Sequence, residues 1–289
     1  MDVANLKAFL AVAEHGSFST ASEQMYLTQP AISKRIAALE SELDTSLFDR
    51  IGRQVTLTQA GKALLPRAQL ILREIEDSTR AIRNLSGEVS GLLSIGTSHH
   101  IGLHRLPPVL RAFTKAYPDV ELDIHFMDSE EACRAVEHGD LELGIVTLPL
   151  QPASVLQTKL VWPDPLSVIV GKGHPLAKQK HLTLKQLAEH KAVLPARGTF
   201  TREIIEQAFV KYQVQVNISL STNYLETIKM LVSVGLGWSV LPESMLSHDI
   251  VAIPAQGFKL KRELGVVWHK ARTLSNAAQA LLTQLLQNR

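Results

Sequence analysis

The stretch from Ser17 to Arg50 constrains the fold of this chain most, because it predicts two short helices around a tight turn. Thr28 can cap the second helix, since its hydroxyl is able to accept a backbone N–H that has no partner inside the helix. Pro30 falls in the first turn, where a missing N–H costs nothing. The apolar residues that follow recur at helical spacing and form one stripe: Ile32, Ile36, Leu39 and Leu43. The pattern predicts a helix-turn-helix.

The face of the second helix opposite this stripe is small, polar and basic. Such a face can approach the base edges and phosphates of double-stranded DNA without a steric barrier. An ordinary helical hairpin with solvated Lys34 and Arg35 is the alternative. The segment before the turn, from Ser19 to Met25, predicts a shorter helix with Ser19 as its cap. The candidate DNA-binding residues of this motif are Thr28, Gln29, Pro30, Ser33, Lys34 and Arg35.

A hairpin is predicted directly after the second helix. The segments Leu47–Arg50 and Gln54–Leu57 alternate in the manner of short strands, with Gly52-Arg53 at the tip. A hairpin in this position has the form of a wing beside the helix-turn-helix.

A long helix from Thr58 to about Leu85 carries an apolar seam that alternates steps of four and three residues. Pro66 lies inside it and is expected to kink the helix without ending it. An exposed helix with one apolar seam needs a partner, so the seam predicts dimerisation. Packing against its own chain is the alternative, although few residues precede the helix to cover it. The predicted dimer contacts are Leu64, Ala68, Ile71, Ile75 and Ile82, and Ser78 interrupts the seam.

Five short motifs stand in a fixed order between residues 11 and 61: AVAEHGSFS, LTQPAIS, LE.EL, LFDR and LT.AG. On these motifs the chain resembles the LysR-type transcriptional regulators, and weaker motifs extend the resemblance over essentially the whole chain. The resemblance implies a winged helix-turn-helix, a linker helix that joins head to body, homodimers or homotetramers, and contact with RNA polymerase. It also implies that Arg50 and Arg53 of the wing reach the DNA backbone or minor groove, with a salt bridge to Asp49 as the alternative for Arg50.

From Leu92 onward, predicted strands and helices alternate, which is typical of a parallel sheet with helices on its faces. The alternation includes a helix over 103–117 and a strand over 166–170. By the resemblance, this part has two lobes around a ligand cleft, as in periplasmic binding proteins. The predicted fold is therefore α/β, with a winged helix-turn-helix at 1–58, a linker helix and hinge at 59–90, and an effector-binding domain at 91–289, in which lobe I is 91–161 plus 265–289 and lobe II is 162–264.

Hydroxyl, imidazole and guanidinium groups follow the predicted strands of both lobes, where helix N-termini present unpaired N–H groups. Such groups suit a small anionic effector, and the resemblance places them where many family members contact theirs. For any single Ser or Thr, helix capping without a ligand is the alternative. The candidate effector-binding residues are Ser98, His99, His100, Thr147, Arg197, Thr199 and Thr222.

Metal and redox chemistry have few candidates in the sequence. His100 and His104 have the i, i+4 spacing of metal ligands on a helix, but no carboxylate or cysteine stands at a useful spacing nearby. The sequence therefore predicts no metal site and no cofactor. The only cysteine, Cys133, excludes an internal disulfide, which fits a reducing cytoplasm. A redox role beside Arg134 and inert packing in a helix both stay open for Cys133.

Composition excludes several classes of protein. No apolar run approaches the ~20 residues needed to span a bilayer, and the N-terminus lacks a signal-peptide pattern, so we expect a cytoplasmic protein. A nucleophile elbow, GxGxxG, P-loop and CxxC are absent from the sequence, which argues against an enzyme. Net charge does not predict DNA binding, because residues 1–90 contain ten basic and eleven acidic residues. Only the local basic cluster around Lys34 does.

Overall fold

The structure is a computed structural model that describes residues 1–51, 54–179, 182–255 and 260–287. The chain divides into two units, Met1–Ser86 and Gly87–Arg289, which we call the N-terminal unit and the C-terminal unit. The boundary lies at the Gly-containing segment 86–91, which the sequence predicts to be a hinge.

The N-terminal unit contains three helices, a two-stranded hairpin and a long helix. In chain order these are α1 Val3–His15, α2 Phe18–Gln24, α3 Gln29–Leu43, β1 Phe48–Ile51, β2 Gln54–Leu57 and α4 Gln59–Asn84. The helix-turn-helix and the wing predicted from the sequence are therefore present. The wing strands pair antiparallel, with Phe48 opposite Leu57.

Capping residues fix where these helices begin. The Thr28 hydroxyl accepts a hydrogen bond from the Ala31 N–H at 3.4 Å, as predicted. The prediction that Ser19 caps α2 is wrong, because Ser17 occupies the cap and accepts from the Thr20 N–H at 3.3 Å. Starting the helix one residue before Ser19 places Phe18 in the apolar core, where its side chain is buried. Burial of that ring outweighs the local choice between two equivalent hydroxyl caps.

The core of the N-terminal unit is built from the apolar faces of α1, α2 and α3 and closed by the wing. Ile32, Ile36 and Leu39 of the predicted stripe are fully buried, whereas Leu43 at the end of α3 is 36% exposed. Phe9 and Phe48 pack ring against ring, with centroids 5.4 Å apart. This packing holds the outer face of α3 in a fixed orientation.

Helix α4 contributes to the same core over its first half, which corrects part of the dimerisation prediction. Ala68 is completely buried within the unit, and Leu64 and Ile71 pack against the same cluster. Ala68 is therefore unavailable to a second chain, and the alternative of packing on the same chain holds for this part of the seam. Ile75 and Ile82 are exposed by 41% and 70%, so the seam is uncovered only beyond Ile71.

The C-terminal unit alternates strands and helices around one large mixed sheet. In chain order its elements are β3 Gly91–Thr97, α5 His99–His104, α6 Leu106–Ala116, β4 Val120–Phe126, α7 Ser129–His138, β5 Leu143–Thr147, β6 Leu156–Gly171, α8 Leu184–Ala188, β7 Ala192–Leu194, α9 Phe200–Lys211, β8 Ile218–Ser221, α10 Leu225–Ser233, β9 Ser239–Pro242, β10 Ile250–Ile253, β11 Leu260–His269 and α11 Asn276–Gln287.

The large sheet has the strand order β10-β6-β11-β5-β3-β4, and β9 also pairs with β6. Only β4, β3 and β5 are parallel neighbours, while β11 and β6 run antiparallel to their partners. Within the large sheet, the predicted parallel arrangement is therefore correct only for β4, β3 and β5. The parallel pair β7 and β8 forms a separate small sheet in lobe II.

Strand β6 has 16 residues, whereas the sequence predicted only 166–170. Pro163 and Pro165 concealed its first half, because proline cannot donate to a sheet ladder. Both prolines lie where β6 pairs with β11 alone, since β9 joins only from Leu166 onward. There β6 is an edge strand, which tolerates proline. Strand β11 runs beside β6, and the pairing register shifts between Leu264 and Gly265.

The predicted helix over 103–117 is two helices, α5 and α6, that meet at Arg105. Pro107 and Pro108 follow the break and lack the N–H groups that would continue α5. The break lets Arg105 reach Asp164 of β6 at 3.1 Å. Within the described ranges, no helix combines the length and apolar character needed to cross a membrane.

Candidate DNA-binding face and ligand cleft

The predicted DNA-binding residues of α3 form one accessible face. Thr28, Gln29, Pro30 and Lys34 are exposed, and Ser33 and Arg35 are half-buried. Burial of the opposite stripe fixes this face, and the small residues at its N-terminal end leave the backbone approachable. The side chain of Arg50 and the whole of Arg53 lie outside the described residues.

Glu40 of α3 positions the wing, a role that the sequence prediction missed. Its Oε1 accepts hydrogen bonds from the backbone N–H groups of Leu47 at 2.7 Å and Phe48 at 3.4 Å. The carboxylate thereby joins the end of α3 to the start of β1 and satisfies two backbone donors. The signal was present in the LE.EL motif, but spacing alone gives no reason for one glutamate to face the wing.

The C-terminal unit has two separate apolar cores, one that includes Leu93 and Leu281 of the predicted lobe I and another that includes Val168 and Trp238 of the predicted lobe II. We keep the names lobe I and lobe II for the parts around these cores. A small cavity with a volume of about 50 Å³ is lined by residues of both parts. A buried water needs ~10–15 Å³ on this measure, so the cavity as it stands holds only a few water-sized groups. Its lining is Ser98, His99, His100, Asp128, Ser129, Glu130, Thr147, Pro195, Thr199, Thr201, Asn223, Tyr224, Leu225 and Arg262.

Five of the seven predicted effector-binding residues line this cavity: Ser98, His99, His100, Thr147 and Thr199. Arg197 does not, because it is exposed in the turn between β7 and α9, one residue before the left-handed Gly198. Thr222 does not either, and its backbone N–H bonds to the Leu194 carbonyl at 3.3 Å.

Arg262 supplies the cationic group that the sequence interpretation assigned to Arg197. Its Nε donates to Asp164 Oδ2 at 2.6 Å, and its Nη1 donates to Thr201 Oγ1 at 3.2 Å. Nη2 is buried and has no hydrogen-bond partner among the described residues. Burial lowers the pKa of Arg262, although the Asp164 carboxylate opposes that shift. Arg262 lies on the returning strand β11, so nothing local in the sequence distinguishes it as a cleft residue.

Hydroxyl groups of the lining also hold the elements that surround the cavity. Ser98 and Thr199 cap α5 and α9, accepting from Ile101 N–H at 3.4 Å and Arg202 N–H at 3.3 Å. The capping alternative therefore holds for both, and each still borders the cavity. Ser129 accepts from the Thr147 N–H at 3.0 Å.

Acidic groups of lobe I contact amide groups of lobe II across the cleft. Asn223 Nδ2 donates to Asp128, and the Phe200 backbone N–H donates to Glu130. Burial raises the pKa of Glu130, and the Phe200 hydrogen bond opposes that rise. The cleft is therefore not uniformly basic: acceptors lie on one wall, and Arg262 lies on another.

His100 is, after Arg262, the second lining residue of the cavity with buried nitrogen atoms that lack a hydrogen-bond partner among the described residues. Its side chain is 97% buried, and neither ring nitrogen has a hydrogen-bond partner among the described residues. Burial, followed by the charge of Arg262, lowers its pKa to about 4. The imidazole is therefore neutral near pH 7 and offers one donor and one acceptor nitrogen.

Comparison with known proteins assigns both units. Two protein-family models match the chain. The family described as bacterial regulatory helix-turn-helix protein, lysR family, matches residues 3–62, and the family described as LysR substrate binding domain matches residues 86–289. An uncharacterized HTH-type transcriptional regulator of Bacillus subtilis, YybE, is 30% identical over 281 residues, which cover 96% of each chain.

Two solved structures share the fold. Full-length CbnR complexed with its target DNA is 24% identical, with a TM-score of 0.67 and full coverage of both chains. The effector binding domain of QuiR in complex with shikimate is 21% identical, with a TM-score of 0.64, and covers 68% of this chain and 96% of that one. This chain belongs to the LysR family, whose members are DNA-binding transcriptional regulators with an effector-binding domain and are not enzymes.

Proposed function

We propose that this protein binds promoter DNA through α3 and the wing as a homodimer or homotetramer, and that a small hydroxylated or amino-bearing carboxylate in the cleft controls it. The observation that carries the ligand proposal is the buried Arg262 Nη2, which lacks a hydrogen-bond partner in the described part of the chain. A regulator of this kind works where the chromosome is, so we place it in the cytoplasm.

The accessible face of α3 supports the DNA-binding part. Helix α3 presents the exposed Gln29 and Lys34 and the half-buried Ser33, which can contact base edges or phosphates. CbnR, which shares the fold, has been solved with its target DNA. The N-terminal unit carries little net charge, so several copies acting together are expected to supply the phosphate contacts.

The groups in the cleft support a ligand that carries both a carboxylate and hydrogen-bond donors. Arg262 Nη2 suits a carboxylate oxygen, since a guanidinium donor pairs most strongly with an anion. Asp128 and Glu130 on the other wall suit hydroxyl or ammonium donors of the same ligand. QuiR, which shares the fold of the C-terminal unit, has been solved with shikimate, a carboxylate that carries hydroxyl groups.

The size of the cavity supports regulation by movement of the lobes. A volume of about 50 Å³ is below the ~300 Å³ typical of ligand pockets, so an organic acid must open the cleft to enter. A ligand that replaces the contacts of Asp128 and Glu130 would favour one separation of the lobes over another. That preference is the signal that the C-terminal unit would pass to the DNA-binding assembly and to RNA polymerase.

Fluorescence anisotropy tests the proposal with full-length protein and DNA from upstream of its own gene, across a salt series. Random DNA of equal length is the control, because phosphate contacts alone give salt-dependent binding without selectivity. We expect the protein to bind the upstream DNA more tightly than random DNA. Hydroxylated carboxylates should change the affinity for the upstream DNA in the parent protein, and they should change it less in Thr147→Val. This variant keeps the volume of the side chain and removes one hydroxyl. Equal affinity for both DNAs under every ligand would contradict the proposal.

A further inference from the structure

Two histidines of lobe I and one glutamate of lobe II meet at the edge of the cleft. His104 Nε2 lies 2.9 Å from Glu226 Oε1, and His100 Nδ1 lies 3.9 Å from the same oxygen. The rings of His100 and His104 have their centroids 4.8 Å apart. One ligand atom from each residue lies within 4.8 Å of the others. The carboxylate that the sequence could not supply near the histidines comes from α10, 122 residues further along the chain.

His100 gives independent evidence that this cluster takes a ligand. Both of its ring nitrogens are buried and have no hydrogen-bond partner among the described residues. A buried polar atom without a hydrogen-bond partner destabilises the folded state, so native proteins retain few such atoms. A metal ion bound at this point would give one of the two nitrogens a partner.

We propose that His100, His104 and Glu226 form a binding site for a divalent transition metal ion, with Zn²⁺ the ion that the donor set fits best. Two imidazoles and one carboxylate are three protein ligands of the kinds that Zn²⁺ takes, and the fourth position of a tetrahedron remains for water or another small ligand. This site goes beyond the proposed function and does not depend on the identity of the effector.

The distances in the cluster are compatible with tetrahedral coordination. Bonds of about 2.0–2.1 Å to nitrogen and oxygen place neighbouring ligand atoms roughly 3.3 Å apart in a tetrahedron. The two separations from Glu226, 2.9 and 3.9 Å, lie on either side of this value, and all three ligand atoms lie within 4.8 Å of one another. The ligand atoms must therefore move by up to about 1.5 Å to enclose an ion at tetrahedral distances.

The site is also accessible from solvent, and the positive charge beside it is partly compensated. The side chains of His104 and Glu226 are 45% and 41% exposed, so an ion can enter from solvent. The buried cation that acts on His100 is Arg262, and Asp164, which pairs with it at 2.6 Å, offsets part of its charge. Because α5 belongs to lobe I and α10 to lobe II, a bound ion would fasten the two lobes at this edge of the cleft.

Calorimetric titration of the full-length, tag-free protein with Zn²⁺ tests the site, and Co²⁺ absorption in the visible range reports its geometry. We expect one strongly bound Zn²⁺ per chain and a tetrahedral Co²⁺ spectrum. His104→Ala and Glu226→Gln change half-exposed residues, so they are the variants of choice over the buried His100. Each should weaken Zn²⁺ binding by about 100-fold, because even residues that only support a metal ligand contribute about 10–100-fold.

His125→Ala is the matched control. His125 and Asp123 form a histidine–carboxylate pair at 2.8 Å with side chains 46% and 43% exposed, which closely matches His104 and Glu226 but includes no third ligand among the described residues. We expect this variant to bind Zn²⁺ as the parent does. Absence of Zn²⁺ binding by the parent would overturn the proposal, as would parent-like affinity in both site variants or equal weakening in the control. The titration needs no DNA, so its result is independent of the proposed function.

Discussion

The side chain of Asn223 joins two lobes of the C-terminal unit, because its Nδ2 donates to Asp128 of lobe I while its Oδ1 accepts from the Ala196 N–H of lobe II at 3.0 Å. One amide therefore ties together a loop within its lobe and a carboxylate across the cleft. Separation of the lobes must break the contact between Asn223 and Asp128, and it can leave the contact between Asn223 and Ala196 intact.

This arrangement predicts that Asn223→Asp weakens closure of the cleft. An aspartate keeps the acceptor for Ala196 and places a second carboxylate against Asp128, where like charges repel. Hydrogen exchange should become roughly 10-fold faster at the Phe200 amide, which bonds to Glu130 across the same cleft, and should change little at Ala196. The reversed pair D128N/N223D restores one donor and one acceptor, and it should restore slow exchange. Fast exchange at Phe200 in the double variant would rule out this mechanism.

Lys34 is expected to contact a DNA phosphate. Lys34→Ala should weaken binding to specific and random DNA alike, and it should reduce the slope of log affinity against log salt by about one for each phosphate that Lys34 neutralises. Lys115→Ala removes the same charge from an exposed position in the C-terminal unit and serves as the control. Anisotropy titrations over several salt concentrations give both slopes. Equal slopes in the parent and in Lys34→Ala would reject this role for Lys34.

Local patterns predicted the N-terminal unit well, because helix caps and apolar spacing there act within a few residues. Thr28, Pro30 and the buried stripe of α3 lie where the sequence placed them. The prediction of Ser19 as the cap of α2 was wrong because Ser17 and Ser19 both carry a hydroxyl that can cap a helix. Burial of Phe18 favours the cap at Ser17.

Long-range contacts account for what the sequence could not predict in the C-terminal unit. Arg262 reaches the cleft on a strand that returns beside β6, and its partner Asp164 is 98 residues away in the chain. Glu226 meets the two histidines only after α5 and α10 have packed in their lobes. Hydroxyl residues at helix caps were predictable because a cap after a strand has a local signature, and this was enough to identify Ser98 and Thr199 as lining residues. Thr147 was predictable because it ends the buried strand β5.

The exposed half of the α4 seam predicts the oligomer contact. Ile75→Glu should dissociate the assembly, because it would place a charge in an apolar contact between helices. Leu70→Glu is the control, since Leu70 is 56% exposed on the same helix and lies off the seam. Sedimentation velocity should show a lower mass for Ile75→Glu only. If both variants keep the mass of the parent, the seam does not hold the assembly together.

Glu40 is expected to stabilise the wing. Glu40→Ala leaves the backbone N–H groups of Leu47 and Phe48 without their carboxylate, which should cost about 1–3 kcal/mol in the free energy of unfolding of the N-terminal unit. Glu40→Gln keeps a neutral acceptor oxygen and should lose less. Denaturant titration followed by a probe in the N-terminal unit measures both. An unchanged midpoint for Glu40→Ala would show that water replaces the carboxylate without cost.

Cys133 is predicted to be inert in the folded protein. It packs in a buried cluster with Ala132 and Val136, and burial together with the charges of Glu130 and Glu137 raises the pKa of its thiol to about 12. Because the thiolate is the reactive form, almost none is present at pH 8, and burial also blocks access of a reagent. A chromogenic disulfide reagent that reacts with thiols should therefore label the native chain at a small fraction of the rate at which it labels the chain unfolded in guanidinium. The unfolded chain should promptly release one equivalent of chromophore, because the chain has one cysteine. Rapid labelling of the native protein at pH 8 would instead revive the redox role that the sequence left open, and Cys133→Ala would then be the variant in which to look for loss of an oxidant response.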